Sequence, residues 1–228
     1  MSAIHPLDHA VWSALTGRQA AYAIIQGGAR RYDPAYGVFA AVENRSAQCL
    51  ADLALLVASR GDVAVLEAGP AAIVPGLRAV SEDAGVQMVA TRIGSASPAA
   101  FDIAPLEDAD GAAMLALAAL TQSGPFFERT HQLGDFVGVK VDGHLVAMAG
   151  ERMKPDGFTE ASGVCTHPDY RGRGLAAALL RHVSERILDR GETPFLHAYA
   201  SNHGAIALYE RLGYVLRRNV VMTRLTAG

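Results

Sequence analysis

Cysteine is scarce: Cys49 and Cys165 are the only two in 228 residues. They lie far apart and form no metal-spaced motif, which excludes a disulfide scaffold and a cysteine-based zinc site. Both read as buried, reduced thiols. Basic residues are not in surplus: 20 Lys and Arg stand against 23 Asp and Glu, for a formal net charge of −3. With no basic tract present, nucleic acid is not expected as a partner. No acidic cluster stands out either, which disfavours a strongly polycationic acceptor. The most apolar stretch, around Gly111 to Leu120, falls well short of the ~20 residues that a membrane span needs. The opening MSAIHPLDHA lacks a basic region followed by an apolar run, so no signal peptide is expected and the cytoplasm is the expected location. Half of the residues are hydrophobic, enough to core one large or two small domains.

The most informative stretch is Val164 to Leu180, VCTHPDYRGRGLAAALL. It begins as a strand, stops at Pro168 and turns at Gly172 and Gly174. From Leu175 the apolar residues fall at helical spacing, with Leu175, Leu179, Val183 and Ile187 on one face. A helix therefore starts just after a glycine-rich turn that carries Arg171 and Arg173. The first turn of a helix has unpartnered N–H groups and partial positive charge, and glycines let a ligand approach the backbone. Two arginines add full charges, so the turn suits a pyrophosphate. The competing reading is an ordinary left-handed turn with two solvated arginines.

Two motifs fit this turn. Gly172-x-Gly174-x-x-Ala177 matches a dinucleotide fingerprint, but His167 to Arg171 separates the first glycine from the strand. The next strand, about Phe195 to Ala200, also lacks the acid that would hold a ribose. Arg171-x-x-Gly174-x-Ala176 is the second motif. Downstream, Ser201-Asn202-His203-Gly204-Ala205-Ile206-Ala207-Leu208-Tyr209 continues to Gly213-Tyr214. Asn202 or Ser201 is a good N-cap, and Asn202, Ala205 and Tyr209 share one helix face. The two signatures, in this order, resemble the GNAT superfamily of coenzyme A-dependent N-acyltransferases, from about Phe101 onward. The wording GPFFERTHQLGDF…AMAGERM…SGVCTHPDYRGRGLA is similar to a bacterial branch of two-part GNAT proteins.

The resemblance implies an α/β (α+β) fold: a mixed, mostly antiparallel twisted sheet flanked by helices. It implies transfer of an acetyl group from acetyl-CoA to a primary amine, by direct attack in a ternary complex and with no metal. The acceptor is a small-molecule or peptide amine, with no nucleic acid and no membrane involved; a homodimer stays open. Cofactor contacts would come from Val164, Cys165 and Thr166 on the strand, from Arg171, Gly172, Arg173, Gly174, Leu175 and Ala176 in the turn, and from Asn202 and Ala205. Tyr209 would be the general acid that protonates the departing thiolate. The alternative is a non-catalytic acetyl-CoA-binding sensor or assembly protein.

A general base is harder to find. Asp142-Gly143 signals a hairpin between Asp135 to Val141 and His144 to Met153. A four-residue turn, Lys154 to Gly157, would then set Glu151 opposite Glu160. Facing carboxylates repel, and one would have a raised pKa suited to a base. Glu160 is the first candidate and Glu151 the second; both being rim charges is the other reading. His131 and His167 are weaker candidates. Phe126, Phe127, Arg129 and His131 are candidates for a substrate wall, or simply pack.

Residues 1–95 carry no catalytic motif. Helix is expected around Trp12 and from the Ser46 cap to Ser59, strand at Gly37 to Glu43 and Asp62 to Glu67, and a short helix at Leu77 to Ala84 followed by a strand at Val86 to Thr91. This reads as an N-terminal α/β scaffold or acceptor-shaping domain, conceivably a degenerate second GNAT-like half, joined through Gly94 to Ala100 to a domain over 101–228. Gly27 to Arg31 reads as a surface loop, and Val215 to Leu225 as a final strand.

Overall fold

A computed structural model describes residues 5–72, 74–94 and 101–228. The expected join at Gly94 to Ala100 lies, but for Gly94, outside them. A one-turn 3-10 helix at Pro6–His9 leads into α1 (Ala10–Thr16). Strands β1 (Ala23–Gln26), β2 (Ala29–Tyr32) and β3 (Ala40–Val42) form a small antiparallel sheet. Next come α2 (Ala47–Arg60), β4 (Val63–Glu67) and β5 (Leu77–Val89). Beyond residue 101 the order is β6 (Ala104–Leu106), α3 (Gly111–Thr121), β7 (Phe136–Val141), β8 (His144–Glu151) and β9 (Phe158–Thr166). The chain ends with α4 (Leu175–Asp189), β10 (Thr193–Tyr199), α5 (His203–Leu212) and β11 (Val215–Ala227).

Local chemistry accounts for several of these boundaries. The Ser46 side chain accepts a hydrogen bond from the Cys49 N–H and starts α2. The helical spacing read on α4 is its buried face: Leu175, Leu179, Val183 and Ile187 are all at most 3% exposed. Asp142 and Gly143, both at positive φ, turn β7 into β8.

Eight strands form the main sheet, in the order β4-β11-β5-β10-β9-β8-β7-β6. Every neighbouring pair is antiparallel except β9 and β10, so the sheet is mixed and mostly antiparallel, as expected. Met88, Ala147, Ala149 and Leu196 pack with α4 and α5 on one face. On the other, Met148 and Cys165 pack with α3, and Phe195 with α1.

The short helix expected at Leu77 to Ala84 is instead the first half of β5. This strand runs between β10 and β11, pairing Val86 with Ala198 on one side and Asn219 on the other. Its alternating run has no strong turn to divide it, and pairing with β11, more than 120 residues later, decides its conformation. Strands from before residue 95 and after residue 101 are thus interleaved in one sheet. Gln19 reinforces the link: its buried side chain donates to the carbonyls of Arg152 (2.7 Å) and Leu133 (3.3 Å) and accepts from Tyr32 Oη (2.6 Å) and Lys154 N (3.0 Å). Gly27 and Gly28 form the tight β1–β2 turn, and the Gly28 N–H is taken by Asp52 at 2.8 Å.

Deleting residues 1–95 removes β5 and leaves β10 and β11 with unpaired edges inside the core. A chain over 101–228 should show no cooperative unfolding transition by circular dichroism or calorimetry, whereas the whole chain should; a cooperative transition in the short chain would show that β5 is dispensable.

Candidate active site

Two concavities lie where β9 and β10 part. The strands keep a parallel register over only three pairs, Phe158–Thr193 to Glu160–Phe195. Beyond them the β8–β9 register shifts between Met148 and Gly150, and Gly163 takes φ +63°. A Cβ at Gly163 would also stand 2.9 Å from the Phe136 ring, so only glycine fits this bend. A bulge of this kind bends a strand and re-aims its side chains.

The outer concavity is a groove of about 520 Å³ bounded by Val164 to Thr166, Tyr170 to Gly172, Gly174 to Ala177, Asn202 and Arg211, among others. All of the turn residues anticipated from the sequence except Arg173 line it, with Asn202 on its far wall. Gly174 sits at φ +81° as the residue that starts α4, and Gly172 at φ +76°. Among the described residues, the N–H groups of Gly172, Arg173 and Gly174 have no hydrogen-bond acceptor within the chain. The α4 first turn adds further unpartnered N–H groups. Arg171 Nε is 3.4 Å from the Thr166 carbonyl, and the Arg173 guanidinium stacks over Tyr170 at 4.9 Å. These donors and charges fit an anionic phosphate chain. Asn202 caps α5 through its side-chain oxygen to the Ala205 N–H, 3.2 Å. The Cys165 side chain lies in the core beneath the groove, where burial pushes its thiol pKa up.

The inner concavity is a cavity of about 150 Å³ that shares Gln122, Ser123, Val164 and Asn202 with the groove. Tyr209 lines it, along with Phe39, Leu66, Asp83, Gly85, Arg152, His197 and Tyr199. Tyr209 is 9% exposed, and burial raises its hydroxyl pKa above the ordinary value, so it stays protonated at neutral pH.

The facing carboxylates are not formed. Glu151 pairs in register with Ala161, one residue away from the expected partner, because Glu160 bonds both neighbours beyond it: its carbonyl accepts from Arg152 N (3.0 Å) and its N–H donates to the Met153 carbonyl (2.8 Å). Glu160 is fully buried and bound bidentately by Arg152 at 2.8 and 2.9 Å, and His197 Nδ1 lies 2.8 Å away. Burial alone would raise its pKa; the Arg152 charge and the hydrogen bonds from His197 and Arg152 outweigh this and hold the carboxyl well below its usual range. Glu151 is ion-paired with Arg190 (2.6 Å) and Lys154 (2.8 Å). Neither carboxylate lines the cavity.

The substrate-wall candidates also lie elsewhere. Phe126 packs edge-on against Phe136, Arg129 stacks on Tyr36 at 4.6 Å, and His131 meets Asp108 at 3.1 Å. The segment just before them, Gln122 to Pro125, is what borders the cavity. His197 and Tyr199 were legible as same-face neighbours on a strand but carried no motif. Asp83 gave no signal, since its segment read as helix.

The family model described as FR47-like protein matches residues 136–223. The ribosomal protein bS18-alanine N-acetyltransferase of Escherichia coli (strain K12) is 44% identical over 64 residues, 26% of this chain and 43% of that protein. The chain therefore spans less than half the length of the curated relatives it matches. A crystal structure named as a GNAT-family acetyltransferase, from Novosphingobium aromaticivorans, is 44% identical across 99% of this chain and 100% of that one, with a TM-score of 0.89.

The chain belongs to the GNAT family of acetyltransferases. A GCN5-related N-acetyltransferase from Kribbella flavida, 19% identical over 96% of this chain and 95% of that one, shares the fold at a TM-score of 0.65. The FR47-like family model covers β7 to most of β11, whereas Phe39, Leu66, Asp83 and Gly85 of the cavity lie outside it. Among the described residues, no group of three or more His, Cys, Asp or Glu side chains could hold a metal ion, and no helix is long and apolar enough to cross a membrane.

Glu160→Gln leaves Arg152 buried without its counter-charge, and breaking a buried pair from one side costs roughly 3–5 kcal/mol. The wild-type contribution is present above the ordinary glutamate value of 4.5 and is lost as pH falls below it towards the depressed folded value. Chemical denaturation across pH should therefore show the variant less stable at neutral pH, with the gap narrowing in acid. A constant gap, or none, would show that the pair is not stabilising.

Proposed function

We propose that this protein transfers an acetyl group from acetyl-CoA to a primary amine by direct attack in a ternary complex. The observation that carries this reading is the meeting of the groove beside the glycine-arginine turn and the inner cavity at Gln122, Ser123, Val164 and Asn202. One side suits a phosphate-bearing donor and the other a small acceptor.

The groove's N–H groups at Gly172, Arg173 and Gly174, with Leu175 and Ala176 in the first turn of α4, would hold the pyrophosphate. Arg171 and Arg173 would add charge, and Arg211, unrecognised in the sequence, lines the same groove. Backbone groups of Val164, Cys165 and Thr166 would run alongside the pantetheine arm, and Asn202 with the small Ala205 would border it. When bound, acetyl-CoA supplies the thioester carbonyl. Tyr209 keeps its proton at neutral pH and would donate it to the departing sulfur. Glu160 and Glu151 are committed to ion pairs, so they would position the sheet rather than accept the amine proton; water in the cavity would take it.

Residues 1–95 would shape the acceptor side, since Phe39, Leu66, Asp83 and Gly85 are part of the cavity wall. The acceptor would be a small amine or the first residue of a peptide, the latter in keeping with relatives named for alanine acetylation on a ribosomal protein. The cytoplasm is the proposed location.

Calorimetric titration of acetyl-CoA, paired with thiol release, tests this. Tyr209→Phe should bind acetyl-CoA as the wild type does and lose about 10²–10⁴-fold in turnover. Arg171→Ala should weaken binding. Undiminished turnover in Tyr209→Phe would remove it as the acid. Saturable binding with no turnover on any amine would favour a non-catalytic acetyl-CoA sensor instead.

A further inference from the structure

Resting on that reading, we propose that Asp83 captures the acceptor's ammonium group, and that the acceptor is a small primary amine with an uncharged, apolar body. Phe39, Leu66, Leu196, Val220 and Met222 form the apolar part of a wall that is about half polar. Its volume is about 150 Å³, and its apolar part suits a compact hydrocarbon group.

Among the described residues, two fully charged side chains are in the lining, Arg152 and Asp83. Arg152 is neutralised by Glu160 through two hydrogen bonds and lies over Phe39 at 4.9 Å. His197 is also committed. Gln87 Oε1 accepts from Arg217 and its Nε2 donates to the Leu7 carbonyl, which fixes the amide. The His197 Nε2, 3.1 Å from Gln87 Nε2, must then accept, leaving Nδ1–H to donate to Glu160.

Asp83 is different. It is half-buried, its hydrogen-bond partner is Ser81 Oγ at 3.2 Å, and among the described residues no cation lies within ion-pair distance. The register places it opposite Met222, one step along the same face from Gly85, which sits opposite Val220 and Tyr199. Its carboxylate therefore belongs to the cavity floor. Burial first, and then the Asp83 charge, raise the pKa of the neighbouring Tyr199 hydroxyl. Arg224, opposite Ser81, is exposed and makes no ion pair with it. An unpaired carboxylate in such a cavity attracts one ammonium and repels an acceptor that carries its own carboxylate. Capture is electrostatic, and no proton moves in it.

The test uses the whole protein saturated with coenzyme A. The probes are 2-phenylethylamine, its neutral isostere 2-phenylethanol, and phenylalanine, which adds a carboxylate. Calorimetry should show the amine binding at least ~10-fold more tightly than either, a difference of about 1.4 kcal/mol. Asp83→Asn should erase that preference, and Asp83→Glu should keep most of it. In thiol-release assays Asp83→Asn should raise the amine KM about 10-fold, with kcat within about two-fold and the acetyl-CoA KM unchanged. The proposal is overturned if Asp83→Asn discriminates like the wild type, if the alcohol or phenylalanine binds as well as the amine, or if no probe binds. Acetyl-CoA binding in the same samples separates the failures. Intact binding means that only the Asp83 assignment falls, whereas its absence takes the acetyltransfer reading down as well.

Discussion

The parting of β9 from β10 is the constraint on which the rest of the structure depends. Two parallel neighbours that stay paired leave no room between them. Here pairing stops after Glu160 and Phe195, and the bend at Gly163 carries β9 away. The gap opens the inner cavity on one side and lets the turn before α4 face a groove on the other. A continuous ladder would close both. The same parting brings Val164, Asn202 and the N-terminal end of α5 together, so the shape of the site is set by backbone geometry before any side chain is considered.

An open seam in a sheet needs to be held open, and the buried charges around it do this. Arg152, Glu160, His197, Gln87, Arg217 and Asp8 form a chain of hydrogen bonds running from β9 through β10 and β5 to the first turn of the molecule. Each member is satisfied by the next, which is the condition under which buried polar groups rigidify rather than destabilise. Within the network Glu160 is a carboxylate gripped by arginine, a stable anion with little affinity for a proton; Glu151 is held apart from it by Arg190 and Lys154.

The interleaving of β5 gives the first 95 residues a direct part in the site. Four of the cavity's lining residues come from them, and one, Asp83, is the lining carboxylate without a cationic partner. The matched family segment begins only at residue 136, so these four residues lie outside it, while Arg152, Val164, His197, Asn202 and Tyr209 of the same cavity lie within it.

Local chemistry was readable without coordinates. The Arg171-x-x-Gly174-x-Ala176 turn, the Asn202 cap, the buried face of α4, the Asp142-Gly143 hairpin and the strand ending the chain all follow from residues within a few positions of each other, where turn preferences and helical spacing act. The sequence by itself determined the glycine- and arginine-bearing turn, the family resemblance and the helix carrying Tyr209. Only the tertiary structure decided where β5 lies, which residue faces Glu151, and which charges are consumed in pairs. The conformation of β5 depends on partners more than a hundred residues away, and between β8 and β9 a one-residue slip in register changes which side chains meet.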